Sequence, residues 1–286
     1  METGRDPFAT LPVEVCHEST DSSHINFIHY VQLLYEIQLH AASEALPLTC
    51  RHLHNIFKSA SPTIHADYLI ARYLATTTPY SIVTHALRFP LCTPAVLNAV
   101  FARPHCPPIP PDQPELPRRL FRHLSATGAE ALPLLRLLYA SPLLRTRPDV
   151  DSHDGYPLAR AVLAGAVPLV RFLLDHGASP RRKDAIAVRF AIKRRDLALV
   201  RLLVEPPEVT PGERRPGKRR RLIDRVQVSS EMLTLAVRCG ARDIAEYLMN
   251  EKGCVPDLRT LSLLRYELQS IHVVTGAESY ASIADF

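Results

Sequence analysis

Apolar residues recur three and four positions apart through much of the second half of the chain. Residues 152–180 read SHDGYPLARAVLAGAVPLVRFLLDHGASP and contain two such apolar stretches, separated by Gly165. An apolar stripe at this spacing predicts a helix that buries one face. A glycine between two stripes predicts the tight turn that joins antiparallel helices. The segment is therefore predicted to form a helix pair.

The same pattern returns thirty residues later, and a third time 75 residues after the first copy. The equivalent residues are Leu158, Val188 and Leu233; Ala161, Ala191 and Ala236; Gly165, Arg195 and Gly240; Leu169, Leu199 and Ile244; Leu173, Leu203 and Leu248. Two periods of thirty leave 15 residues over, which indicates an insertion between the second and third copies. The Pro-rich and Arg-rich stretch 206–221 has the composition of that insertion.

The spacing of the repeat has a physical basis. The small alanines let two helices approach closely, and the leucine stripe faces the neighbouring copy. One helix pair cannot bury its apolar side alone, whereas a stack of pairs can. Arg195 stands where the other copies have glycine, so the second turn is predicted to be strained or loosened.

These segments resemble the ankyrin repeat family. The matching residues are Pro157, Leu158 and Ala161 in the signature of the first helix, residues 165–170 in the inter-helix turn, and residues 173–180 in the exit. Residues 118–124 and 131–138 resemble the two helices of an earlier copy, and residues 93–101 the start of another. The resemblance implies an all-α stack of antiparallel helix pairs, an ankyrin-type α-solenoid, that binds another protein.

The composition agrees with packed helices. The chain has 286 residues, 47% of them hydrophobic and mostly Leu, Ala and Val, and no tryptophan. The 25 prolines cluster between apolar stretches, which predicts short helices. No run is long and apolar enough to span a membrane. The six cysteines lack paired spacing and the first residues lack a secretory pattern, so we expect reduced thiols in an intracellular protein of the cytoplasm or nucleus.

The positive charge is concentrated in one stretch. Seven bases and two acids lie between Glu213 and Arg225, a local net of +5 that equals the net charge of the whole chain. The remaining residues therefore sum to zero, which disfavours nucleic-acid binding as the main function. Three interpretations stay open for this stretch: a solvated loop, a contact with nucleic acid, and a nuclear-import signal at Lys218, Arg219, Arg220 and Arg221.

The N-terminal region is similar to a degenerate F-box-like module, in the segments 11–14, 33–37 and 46–57. The resemblance implies docking on the adaptor of a cullin-RING ubiquitin ligase, through Leu11, Pro12, Leu34, Ile37, Leu48 and Leu53. Residues 15–32 interrupt the pattern, and removing them restores it. We therefore predict that 15–32 is a non-native insertion, a translated retained intron. The alternative is that this region only caps the end of the stack.

The whole layout looks like that of fungal proteins with an F-box-like module and ankyrin repeats. We expect the N-terminal module or cap at residues 1–75, with a packing helix at 61–74. Degenerate repeats follow at 76–268, with a Pro-rich loop at 104–117, the basic loop at 206–221 and a closing helix at 257–268. A poorly ordered tail is expected at 269–286.

The sequence contains no motif for catalysis, a cofactor or a metal site, so we expect no enzyme and no cofactor. Partner binding is predicted at the loop tip and on the first helices of the pairs, through Arg181, Arg182, Lys183, Lys193, Arg194, Arg238 and Cys239. These cations favour an acidic partner surface, although they are equally expected of a solvated face. The function predicted first is protein binding; the alternatives are a ubiquitin-ligase subunit and a basic, nucleic-acid-associated nuclear protein.

Overall fold

The computed structural model describes residues 20–77, 79–109, 113–206 and 224–264. Within these ranges the chain is helical and has no β-strand; the one β-type contact there is an isolated bridge between Glu115 and Asp149. The predicted all-α fold is therefore confirmed. The chain divides into two compact units, one formed by the residues up to Leu120 with Pro133–Asp149, the other by Phe121–Leu132 and the residues from Val150 onward.

The first unit is built around its third helix. Its helices are α1 (Thr20–Ala41), α2 (Arg51–Lys58), α3 (Pro62–Ala75), α4 (Ile82–Leu87), α5 (Pro94–Ala102) and, from Pro133 onward, α6 (Leu132–Ala140). α3 packs against α1, α4 and α5. The hydroxyls of Ser61 and Thr93 accept backbone N–H groups at the starts of α3 and α5, where each first helical residue is a proline. The predicted helices over residues 61–74 and 93–101 are confirmed.

Two features of the first unit differ from the sequence-based expectation. Residues 118–124 do not form a full helix: a single 3-10 turn spans Arg118–Phe121. Because Gly128 closes the next turn with a φ of 65°, too few residues remain to offset the cost of starting an α-helix. In addition, α4 and α5 pack with the N-terminal helices, whereas the sequence analysis placed a boundary after residue 75.

The second unit contains three successive helix pairs. They are α7 (Ser152–Ala164) with α8 (Val167–Asp175), α9 (Arg182–Lys193) with α10 (Leu197–Val204), and α11 (Ser230–Arg238) with α12 (Arg242–Glu246). The members of each pair contact each other, and α9 also packs against both α7 and α11. The first helix of each pair therefore contacts its neighbour in the next pair.

The last pair is followed by a π-helical turn, Tyr247–Glu251, and by helical residues 258–264. The Asp257 carboxylate accepts the N–H of Thr260 at 2.7 Å and so caps this closing helix. The prediction of a closing helix is confirmed as far as residue 264. The tail predicted at 269–286 lies outside the described residues.

The core of the second unit consists of the residues that the alignment made equivalent. Ala161, Ala191 and Ala236 have no exposed surface, as expected if small side chains let the paired helices approach. The leucine stripe is equally buried, with Leu169, Leu173 and Leu203 at 0% exposure. Each such leucine contributes about 1.5–3 kcal/mol through burial. The repeat in the sequence thus corresponds to a repeat in the buried contacts.

Candidate partner-binding surface

The same turn joins the two helices in all three pairs. In each pair a backbone N–H reaches back five residues to a helical carbonyl: Ala166 to Ala161 at 2.9 Å, Asp196 to Ala191 at 3.2 Å, and Ala241 to Ala236 at 3.0 Å. This is the Schellman arrangement that ends many helices, and it needs a left-handed residue just before the donor. The recurrence fixes the ends of α7, α9 and α11 in the same local geometry.

The left-handed residue of these turns is glycine twice and arginine once. The φ angles are 73° at Gly165, 56° at Arg195 and 65° at Gly240, so the predicted strain at Arg195 is confirmed. A side chain in this conformation costs about 1–2 kcal/mol, which glycine avoids. The Arg195 side chain is exposed, and its guanidinium lies beside Gly240, 3.6 Å from where a Cβ would stand on that glycine.

Two residues before the left-handed residue of each turn lies an exposed side chain. The three equivalent residues are Leu163 (40% exposed), Lys193 and Arg238. Because α9 packs against both α7 and α11, these residues lie in a row across the three pairs. In the part of the chain that the structure describes, no carboxylate is within ion-pair distance of Lys193 or Arg238.

Arg194 and Cys239, the next predicted pair, are less available. Nη1 of Arg194 donates to the carbonyl oxygen of Leu163 at 3.0 Å, and the guanidinium covers Gly165. Arg194 therefore links the second turn to the first. Cys239 is half-buried at the end of α11. Of the residues predicted on the helix ends, Lys193 and Arg238 keep free charged groups.

The predicted tip residues, Arg181, Arg182 and Lys183, also differ in whether their side chains bond to other segments. Nε of Arg181 donates to the carbonyl of Arg225 at 2.6 Å, and Nε of Arg182 donates to the Asp151 carboxylate at 3.1 Å. Both arginines thus connect segments within the second unit. Lys183 is exposed, with a φ of 53°. The structure therefore leaves Lys183 as the exposed charge of the tip that makes no such link.

Each of the first two pairs begins with three residues in the left-handed backbone conformation, which was not predicted from the sequence. Residues 153–155 and residues 183–185, thirty positions apart, all have positive φ angles between 52° and 76°. Asp154-Gly155 in the first corner is a recognised turn pair, whereas Asp184-Ala185 in the second gives no such signal. The third pair starts differently, with extended backbone at Ser229.

Asp151 connects the first two pairs and was also missed. Its Oδ1 accepts the N–H of Ser179 at 2.9 Å, and its Oδ2 accepts Nε of Arg182 at 3.1 Å. The carboxylate side chain is only 12% exposed, so the backbone contact is sheltered from water. One aspartate at the start of α7 thereby holds the loop that leads into α9.

The basic insertion is closed at its base. The N–H of Arg225 donates to the carbonyl of Val204 at 2.7 Å, and the Lys252 ammonium contacts the Asp224 carboxylate at 2.9 Å. The hydroxyl of Tyr247 donates to Glu205 at 3.1 Å. Burial, followed by the Glu205 charge, raises the pKa of Tyr247. The predicted import residues, Lys218, Arg219, Arg220 and Arg221, lie outside the described residues.

The predicted adaptor-binding residues occupy different environments. Leu53 is buried in α2, Leu34 is half-buried, and Ile37 and Leu48 are exposed at 45% and 76%. Leu33, on α1 four residues before Ile37, is also exposed, at 54%. Leu11 and Pro12 lie outside the described residues. Leu53 is therefore a core residue of α2. Leu33, Ile37 and Leu48 are apolar side chains at the surface of α1 and of the 3-10 turn Leu46–Leu48.

The stretch 15–32 is described from residue 20, where α1 begins, and its residues run without a break into the rest of that helix. The hydroxyl of Tyr35 donates to the carbonyl of Ile56, and Gln38 donates to that of Ser43. The second half of α1 is thereby attached to the following segments. The retained-intron hypothesis stays a prediction.

The described residues also include a surface depression and a buried thiol, that of Cys92. A surface depression of about 480 Å³ is bordered by residues 174–175, 178–180 and Arg225. Among the described residues, no three His, Cys, Asp or Glu side chains converge as metal ligands would, and no helix is both long and apolar enough to cross a membrane. Burial raises the pKa of the Cys92 thiol to about 12.

Comparison with protein-family models, curated proteins and solved structures finds no match to this chain.

Proposed function

We propose that this chain is a non-enzymatic protein-binding protein of the cytoplasm or nucleus, and that its second unit is an ankyrin-type α-solenoid. The observation that carries the proposal is the recurrence of one turn at equivalent positions of three helix pairs, with α9 packed against both α7 and α11. Layers that each contact only the next leave a continuous row of equivalent surface positions, which is the kind of surface that repeat proteins use for binding.

The available side chains support this proposal. Lys183, Lys193 and Arg238 are exposed at the tip and at the helix ends, while their neighbours Arg181, Arg182 and Arg194 connect segments of the unit. The unit thus combines a scaffold fixed by internal contacts with side chains left free for a partner.

Cross-linking after affinity purification tests the proposal. The full chain is tagged, partners are captured, and an amine-reactive cross-linker is applied before mass spectrometry. We expect a partner cross-linked to Lys183 and Lys193, with Lys58 of α2 as the internal control in the first unit. Leu203→Asp disrupts the core of the second unit and is expected to abolish capture. Cross-links at Lys58 alone, or capture that survives Leu203→Asp, would contradict the proposal.

A second candidate function is that of a substrate-recognition subunit of an F-box-type ubiquitin ligase. The exposure of Ile37 and Leu48, two of the predicted adaptor-binding residues, favours it, because apolar side chains that a partner covers are left open in the free protein. Co-purification with the ligase adaptor is the test. Ile37→Asp and Leu48→Asp are expected to abolish it, whereas Leu74→Asp, at an exposed position of α3, is the matched control. Adaptor binding that survives both changes would exclude this function.

A further inference from the structure

Three exposed cations lie at the C-terminal ends of α9 and α11, which pack against each other. Lys193 and Arg238 lie at equivalent positions on α9 and α11, and the Arg195 guanidinium reaches Gly240, two residues after Arg238. We infer that Lys193, Arg195 and Arg238, the cationic row, form the docking surface for an acidic segment, rich in Asp and Glu, of a protein partner. This inference rests on the proposed protein-binding function and names the chemistry of the partner.

Several basic residues of the unit are held by carboxylates of the described residues, whereas those of the cationic row are not. Arg182 is paired with Asp151, Arg201 with Glu251, and Lys252 with Asp224. No carboxylate of the described residues lies within ion-pair distance of the three row residues. Three adjacent unpaired cations repel one another, and carboxylates brought by a partner relieve that repulsion.

The nearest acid in sequence does not neutralise the row. Asp196 follows Arg195 directly, but its Oδ1 accepts the N–H of Leu199 at 3.0 Å. That carboxylate caps α10, which is its structural task. The charges of the row are therefore left for groups from outside the described residues.

Arg195 provides an independent observation. The equivalent turns use Gly165 and Gly240, which adopt the left-handed conformation without strain, whereas Arg195 adopts it with a φ of 56°. Backbone strain of this kind is frequent at binding sites, which makes Arg195 a candidate for one. Within the described part of the chain, the exposed Arg195 guanidinium has no hydrogen bond that anchors the turn, unlike that of Arg194, which bonds to the Leu163 carbonyl. The charge of Arg195 is therefore left for a partner.

An acidic peptide fits this surface better than a nucleic acid. Outside the stretch from Glu213 to Arg225 the charges of the chain sum to zero, so the rest of the chain carries no excess positive charge with which to follow a phosphate backbone. A phosphate backbone is bound through such a field along many contacts, whereas a short acidic segment needs only a few cations. The cationic row supplies three cations.

Peptide binding to the full chain tests the inference. The probe is a fluorescein-labelled decaglutamate peptide at low salt, followed by fluorescence anisotropy, with decaglutamine and a labelled oligothymidylate as comparisons. The wild type is expected to bind decaglutamate, with an affinity that falls as salt is added. Arg195→Gly is expected to weaken binding about 2–5-fold while raising the Tm by about 1–4 °C, because the charge is lost and the strain is relieved.

Two further variants separate charge from backbone. Arg195→Ala is expected to weaken binding as much as Arg195→Gly without the gain in Tm, and Arg195→Lys is expected to keep binding. Arg171→Ala removes an exposed arginine of α8 and is the matched control, expected to bind like the wild type. The inference is overturned if decaglutamate fails to bind, if decaglutamine binds equally, if the oligonucleotide binds more tightly, or if Arg195→Gly gains stability with unchanged binding.

The partner captured in the cross-linking experiment distinguishes this inference from the proposed function. Charge reversal of all three row residues to glutamate is expected to release that partner while the fold is kept. If the partner stays bound to the reversed variant, the docking surface is wrong but protein binding stands. If no partner is captured through the second unit, the proposed function fails, whatever the peptide result.

Discussion

Replacing Asp151 by alanine tests whether neighbouring helix pairs are held together through the backbone. The change removes the acceptor of the Ser179 N–H at 2.9 Å and the ion-pair partner of Arg182 at 3.1 Å. A hydrogen bond to a charged group is worth about 1.5–3 kcal/mol when its loss leaves a sheltered donor unsatisfied. The ion pair adds little, since the Arg182 side chain is 53% exposed and such pairs contribute about 0.2–1 kcal/mol.

The two contributions can be separated by denaturant unfolding of the full chain. Asp151→Ala is expected to lower the free energy of unfolding by about 1.5–3 kcal/mol, and Arg182→Ala by no more than about 1 kcal/mol. Asp151→Asn keeps an oxygen acceptor for Ser179 and should recover most of the loss. If Arg182→Ala costs as much as Asp151→Ala, the backbone contact contributes nothing and the reasoning is refuted.

Three further changes probe burial, proton linkage and the insertion. Burial, with the Arg72 and Arg88 charges, lowers the pKa of His85 below 6.5. The unfolded state therefore takes up the proton first, and stability is lost as the pH falls below 6.5. His85→Phe should reduce the decrease in Tm between about pH 7.5 and 5, and an unchanged decrease would contradict this. Leu169→Ala should cost about 2–5 kcal/mol in denaturant unfolding, because Leu169 is fully buried; a smaller loss would contradict its core role. Replacing residues 207–223 by a four-residue linker should leave the free energy of unfolding unchanged or raise it by about 1 kcal/mol, because Val204 and Arg225 are already hydrogen-bonded at the base of the insertion. Marked destabilisation would contradict this expectation.

The sequence was most informative where period, burial and turn chemistry agree. The thirty-residue spacing, with a 15-residue insertion before the third copy, correctly aligned Ala161, Ala191 and Ala236, which are all fully buried and all accept the closing hydrogen bond of their turn. It also located the strained turn, because the glycine found in the first and third copies is replaced by Arg195 in the second. Repetition made these predictions possible, since each copy serves as a control for the others.

Contacts between polar groups far apart in the sequence could not be predicted. Asp151 and Ser179 are 28 residues apart, and Glu205 and Tyr247 are 42 apart, so no local pattern relates them. The same holds for the candidate site: the sequence placed Arg194 among the free cations, but whether a guanidinium points outward or bonds to a carbonyl depends on the neighbouring copy. For Lys193 and Arg238, exposure follows from their position on the helix and was predictable.

The chain has 29 arginines among its 34 basic residues, and several of them donate to backbone carbonyls of distant segments. In the first unit Arg72 and Arg119 donate to the backbone carbonyls of Ala42 and Phe89, at 2.8 and 2.7 Å. In the second unit arginines reach the carbonyls of segments about 30 to 40 residues away: Arg160 to Phe121, Arg181 to Arg225 and Arg194 to Leu163.

A planar guanidinium carries several donors in a fixed geometry, so it can satisfy a carbonyl of a neighbouring layer while its remaining donors stay solvated; an ammonium group on a flexible chain does this less well. These arginines therefore serve the fold, in which the ends and turns of short helices leave carbonyls to be satisfied. Only a cation that no carbonyl or carboxylate engages, such as Arg195, is informative about a partner.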